Sequence, residues 1–204
     1  MDKLRKRVKL DKHLLIFLMI LLIVGIIVGA VFVTILNESD QTLITEYLNS
    51  FLGNIENNKL NYISSFKNSL ISNIIFVLII WLLGISIIGL PIMIFMYFSK
   101  IFVLGFSIGS IIVNFHLKGI IFALVYSLGQ ALFLFGLIIL MIYAMSFSFK
   151  LIDCFFKKKT FDFKLVINKY TFILGIILIV SLIASLYDSY LLPLILKSIV
   201  SFIR

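Results

Sequence analysis

Apolar residues in this chain come in long runs rather than in the alternation of a half-buried strand. The first run extends unbroken from Leu14 to Leu36, longer than the roughly 20 residues that cross a bilayer core. Others run from Ile71 to Phe98, Ile101 to Val113, Ile120 to Phe149 and Tyr170 to Tyr187. Between Asn37 and Leu70 the pattern changes: Leu43, Ile44, Tyr47, Leu48, Phe51, Leu52 and Ile55 recur at helical spacing after a capping Asp40, which predicts an amphipathic helix lying on the membrane face. Tyr62, Ile63, Phe66 and Leu70 carry a similar stripe into the second span. The predicted fold is all-α: a polytopic integral membrane helical bundle of about five transmembrane helices. Residues 1–204 form a single membrane domain with a basic N-terminus (1–13), an extracytoplasmic amphipathic loop (37–70) and a basic cytoplasmic loop (150–170).

Two features qualify the spans. The second run is long for one crossing and is interrupted at Gly89, Leu90 and Pro91. Pro91 has no backbone donor, so a kink or break belongs there. Lys100 then leaves an apolar run only about 20 Å long as helix, too short to cross. Either the third span starts before Lys100, which snorkels, or residues 89–100 form a broken element lining the bundle. The tyrosines at 170 and 187 read as interface anchors, and an apolar tail broken at Pro193 follows them. The first run has no small-x-small cleavage site near its end and outlasts the 7 to 15 residues of a signal h-region, so it reads as an uncleaved span.

Composition agrees with the pattern. Of 204 residues, 62% are hydrophobic and 13% charged, and the mean hydropathy is +1.21, whereas a soluble domain is about half apolar and a quarter charged. The net charge of +9 lies beside the spans, where it sets orientation and meets anionic membrane lipids, rather than along a stripe with interleaved aromatics; nucleic acid is not the expected partner. With the N-terminus in the cytoplasm, thirteen of the 18 Lys and Arg fall on the inner side and five on the outer, which predicts N-in and C-out. Cys154 is the only cysteine; it reads as an idle reduced thiol in the cytoplasm.

Little in the sequence suggests catalysis. Gly25 and Gly29, Gly105 and Gly109, and Ser181 and Ser185 have the small-xxx-small spacing that lets helices approach, for packing within the chain first and for a homo-oligomer or partner second. Gly105 to Gly109 also matches the G-x-S-x-G pattern, but Ser107 needs a base within hydrogen-bond reach, and His116 lies nine residues away, roughly 13 Å along a helix. No metal-ligating spacing and no phosphate-cradling loop occurs, so neither metal nor cofactor is expected. Gln130, within the fourth run, should face another helix. Lys100 and Asp188 come near the spans and read as interfacial. A small membrane transporter or the membrane subunit of an export system is the rival class, with Gly89, Pro91, Lys100 and Gln130 lining a path.

The run from Trp81 through Gly84 and Gly89 to Pro91 closely resembles the second-span signature of the stage II sporulation protein M family. Lys100 followed by Gly105 and Gly109, then Leu117, Lys118 and Gly119, and an acidic residue ahead of a proline, here Asp188 and Pro193, resemble it further. The chain departs from the family at Leu128 to Ala131, where a proline ahead of Gln-Asn is usual, and at Asp188, where Glu is common. The resemblance implies a membrane scaffold, not an enzyme, in the peptidoglycan-remodelling complex that drives forespore engulfment. It implies enrichment at the sporulation septum, and as partners a lytic transglycosylase, stage II sporulation protein D, and an amidase, stage II sporulation protein P. Tyr47 and Phe51, on the outer amphipathic stripe, are the expected partner contacts.

Overall fold

The structure is a computed structural model that describes residues 11–157 and 162–203. The basic cluster Lys3 to Lys9, and Lys158 and Lys159, lie outside the described residues. Every described element is helical. The order is α1 (Lys12–Phe32), a short 3-10 turn (Val33–Ile35), α2 (Glu38–Glu56), α3 (Tyr62–Gly84), α4 (Gly89–Lys157), α5 (Phe163–Leu186), a π-helical turn (Tyr187–Leu191) and α6 (Leu192–Ile203).

Local chemistry explains the boundaries. Asp11, Asn61 and Asp162 each precede a long helix and accept a backbone N–H from its first turn, at 3.1 Å in all three cases, which satisfies one of the donors a helix start leaves free. α2 begins at Glu38, so Asp40 is not its cap. With Glu38 it occupies the first turn, where carboxylates suit the positive end of the helix dipole. α3 stops at Gly84, and residues 85–88 form a tight turn. Of the kink or break expected around Pro91, the structure has the break, between two separate helices. Pro91 falls in the first turn of α4, where a missing N–H costs no helical bond. Gly89 permits the turn, because a β-carbon there would strike the carbonyl of Leu83.

α4 is two helices in one run. Its 69 residues would reach about 100 Å if straight, some three bilayer cores, but it reverses at His116, where φ is 49° and ψ is −131°. The arms 89–115 and 117–157 fold back as a hairpin, with Lys100 of the first facing Phe133 of the second. Phe115 packs on Phe122 across the tip with ring centroids 5.9 Å apart. With α1, α3 and α5, the hairpin makes five apolar rods around one core that includes Leu18, Val77, Tyr97, Leu137 and Ile177. Among the described residues, four helices are long and apolar enough to cross a membrane, with α4 counted as a single run.

Helix also covers most of the segment expected to be a basic loop at 150–170. α4 continues to Lys157 and α5 begins at Phe163, so the connection is short. α5 runs through the π turn into α6. Pro193 in the first turn of α6 cannot donate to the carbonyl four residues back, and the wider turn re-forms the ladder with Leu192 N–H on the carbonyl of Tyr187.

Candidate functional site

The two glycine pairs pack on each other. β-carbons at Gly25 and Gly29 would meet Ile101, Phe102 and Phe106, and β-carbons at Gly105 and Gly109 would meet the backbones of Ile26 and Ala30. α1 and the first arm of α4 thus run side by side at a distance only glycine allows. Ser107, at the centre of the G-x-S-x-G match, donates its hydroxyl to the carbonyl of Val103 in its own helix at 2.9 Å. His116 lies at the hairpin tip.

The signature from Trp81 to Pro91 builds a joint. Ser148 of the second arm donates to the carbonyl of Gly84 at 2.9 Å. Tyr170 donates to the carbonyl of Trp81 at 2.9 Å while its ring stacks between Trp81 and Phe147, 5.8 and 5.7 Å away. A β-carbon at Gly84 would strike the Tyr170 hydroxyl and Ala144. Tyr170 is fully buried; its predicted role as an interface anchor is replaced by an interhelical clamp. Tyr97, donating to the carbonyl of Leu18 at 3.3 Å, and Tyr187, donating to that of Val125 at 2.9 Å, act alike. Tyr97 and Ser148 carried no sequence signal beyond residue type.

Deeper in the bundle the polar residues of the spans converge. Gln130 of the second arm donates to Asp188 Oδ2 at 2.8 Å, which meets the expectation that its amide faces another element. Gly129 lies under the same carboxylate, where a β-carbon would strike Oδ1. Oδ1 is buried without a hydrogen-bond partner. Asn73 of α3 donates to Ser185 of α5 at 3.1 Å, both buried, so the serine pair at 181 and 185 also faces inward. Lys100 neither snorkels nor lies at an interface: it stands eleven residues inside α4, level with Gly25, and its ammonium sits over the rings of Phe76 and Phe133, 5.8 and 5.3 Å from their centroids. Asp188 likewise stands against the hairpin. Each charge is near enough to act on the other, and charge inside apolar helices marks a functional seam by default.

Above this seam, α2, the hairpin tip and α6 form a second core. Leu48, Leu52 and Ile55 pack with Ile111, Phe122, Leu192 and Leu196, Thr45 hydrogen-bonds Asn114, and Lys197 donates to Asn58 at 2.8 Å. α2 therefore clamps the helix ends instead of merely resting on lipid. Of the residues expected to contact partners, Tyr47 is 69% exposed, whereas Phe51 packs against this second core. Tyr62 stacks on Tyr190 at 5.9 Å, and Phe66 meets the same ring at a tilt, 6.1 Å away.

Among the described residues no cluster of His, Cys, Asp and Glu could hold a metal ion. Comparison with curated proteins and with solved structures returns no match. The family model described as Stage II sporulation protein M matches residues 18–193, from the first span through the joint at 81–91, the hairpin and the polar seam to Pro193. A helical membrane protein built on that pattern over nearly its whole length, this chain belongs to the stage II sporulation protein M family.

Proposed function

We propose that the protein is a non-catalytic, five-pass scaffold, N-in and C-out, in the complex that thins septal peptidoglycan during forespore engulfment. In this reading it holds a lytic transglycosylase, stage II sporulation protein D, and an amidase, stage II sporulation protein P, at the septal membrane. Family membership supports the sporulation setting. The observation that carries the scaffold reading is the cap: α2, the hairpin tip and α6 gather at one end of the bundle, and α2 leaves Leu43 and Tyr47 64% and 69% exposed at the open groove beside the hairpin. Placing Lys100 inside the bundle lowers the inner count of basic residues by one and leaves their asymmetry intact. A homo-oligomer would need a face other than the two glycine pairs, which the α1–α4 contact uses.

Leu43→Asp with Tyr47→Asp tests the docking face without disturbing the second core. Partner hydrolases should no longer co-purify, while yield and membrane insertion stay unchanged. Retained co-purification removes α2 as the docking face. Deleting the gene should arrest engulfment with an unthinned septum, and normal engulfment would refute the role.

The polar seam favours one second reading, a small transporter or the membrane subunit of an export system, because Lys100, Gln130 and Asp188 converge between helices. Lys100→Gln should abolish solute movement by a transporter and leave partner recruitment by a scaffold unchanged.

A further inference from the structure

The last two turns of α4 project past the joint at 84–88. Ser148 donates to the carbonyls of Gly84 and Ser86 at 2.9 and 3.2 Å, which sets it level with the joint, and the helix continues to Lys157. α1 shows where the hydrocarbon ends. Its apolar run from Leu14 to Leu36 is about 34 Å long as helix, so it just spans a core of about 30 Å. Gly25 lies against Ile101, and Tyr97 donates to the carbonyl of Leu18, which puts Leu14 level with the first turns of α4, beside the joint. Phe155 and Phe156, seven and eight residues past Ser148, therefore stand roughly 10 to 12 Å beyond the hydrocarbon edge. A headgroup layer takes up about 5 to 8 Å of that.

Both rings are nonetheless open, 75% and 78% exposed. Phe149, Ile152 and Phe156 fall at i, i+3 and i+7, on one face of the helix, the spacing by which amphipathic helices meet. Large apolar side chains held clear of lipid mark a surface that another molecule covers.

Position and charge select the occupant. Lipid tails lie out of reach. A second copy would set Lys150, Lys157, Lys164 and Lys169 against the same four lysines. Only Asp153 and Asp162 oppose them within 149–169, and the Asp162 carboxylate accepts the N–H of Leu165 at 3.1 Å as a helix cap. Nucleic acid is held by a cationic groove that tracks its backbone, whereas this is one convex helix end. An acidic amphipathic helix answers both features, its apolar stripe meeting the phenylalanines and its carboxylates the lysines.

We propose that the end of α4 is a cytoplasmic docking ridge for an acidic amphipathic helix of a partner protein, with Phe149, Ile152 and Phe156 as anchors and Lys150 and Lys164 as counter-charges. The ridge rests on the N-in orientation and not on the wall hydrolases, which the scaffold reading places on the other side. It would join a cytoplasmic protein to the outer cap through one continuous helix, the second arm of α4.

The test places a photoactivatable amino acid at Phe156 of the full chain in the cells that make it. The same label at Phe95, 69% exposed on the first arm, measures chance capture. Illumination should give a protein adduct at Phe156, several-fold more than at Phe95. Sequencing of the cross-linked peptide should find apolar residues at i, i+3 and i+7 flanked by Asp and Glu. Lys150→Glu with Lys164→Glu should lower the yield several-fold, and Lys150→Arg with Lys164→Arg should keep it. Helicity by circular dichroism checks the charge-reversed chain; should it not fold, Phe149→Ser takes its place, with the same expected loss. A phospholipid or nucleic-acid adduct, a chain–chain product, a basic or uncharged segment, capture no greater than at Phe95, or capture unaffected by charge reversal would each overturn the proposal. An inverted orientation shows separately, as labelling of Cys154 by an impermeant maleimide in intact cells.

Discussion

A methyl group at Gly105 would meet the backbone of Ile26, whereas one at Gly175 would meet nothing within 4 Å. The same substitution should therefore act in opposite directions. Gly105→Ala forces α1 off the first arm of α4 and should cost about 1–3 kcal/mol; Gly175→Ala should be neutral or gain up to about 1 kcal/mol from helix propensity. Thermal unfolding in detergent, followed by circular dichroism, measures both, and equal shifts would contradict the α1–α4 contact. His116 gives the converse case. Its φ of 49° with ψ of −131° lies where only glycine moves freely, a strain of order 1–3 kcal/mol. His116→Gly should raise stability by about 1 kcal/mol after the entropy glycine adds to the unfolded chain, and a loss in the same melt would show that the imidazole does more than occupy the tip.

Between elements, the polar seam ties the π turn to the hairpin. Asp188→Asn and Lys100→Met should each destabilise, by about 1–3 kcal/mol, because each leaves the other charge among apolar helices. The double variant should lose less than the sum of the two. Additive losses would show that the two charges do not sense one another. Gln130 was legible in the sequence because an amide in an apolar span must find a partner. The burial of Tyr97 and Tyr170 was not. A tyrosine near a span boundary looks the same whether its hydroxyl reaches headgroups or a neighbouring carbonyl, and helix rotation separates the two. In a soluble helix the apolar stripe reveals that rotation; here lipid and core faces are both apolar, so it is hidden. The break after Gly84 was visible as glycine and proline, but its form as two helices rather than a kink depended on the Ser148 and Tyr170 bonds to residues far along the chain.

For the whole molecule, run lengths made five helical rods legible, and only the reversal at His116 was needed to fold the longest helix into two of them. The basic segment at 150–170 misled because charge density does not mark the end of a helix, and α4 and α5 both run into the segment. The cap was partly legible: the α2 stripe was plain, but its packing on Leu192 and Leu196 joins residues about 140 positions apart, beyond what periodicity can reach. That cap, facing outward on a five-pass bundle, is the central claim, and the chain's single cysteine makes it testable. Cys154 is exposed at the opposite end of the bundle, and Ser50 is exposed on α2. In intact cells a membrane-impermeant maleimide should label Ser50→Cys in a Cys154→Ser background and leave Cys154 of the unaltered chain unlabelled until the membrane is permeabilised; labelling of Cys154 from outside, with Ser50→Cys protected, would invert the orientation and contradict the proposed scaffold, which needs the cap outside.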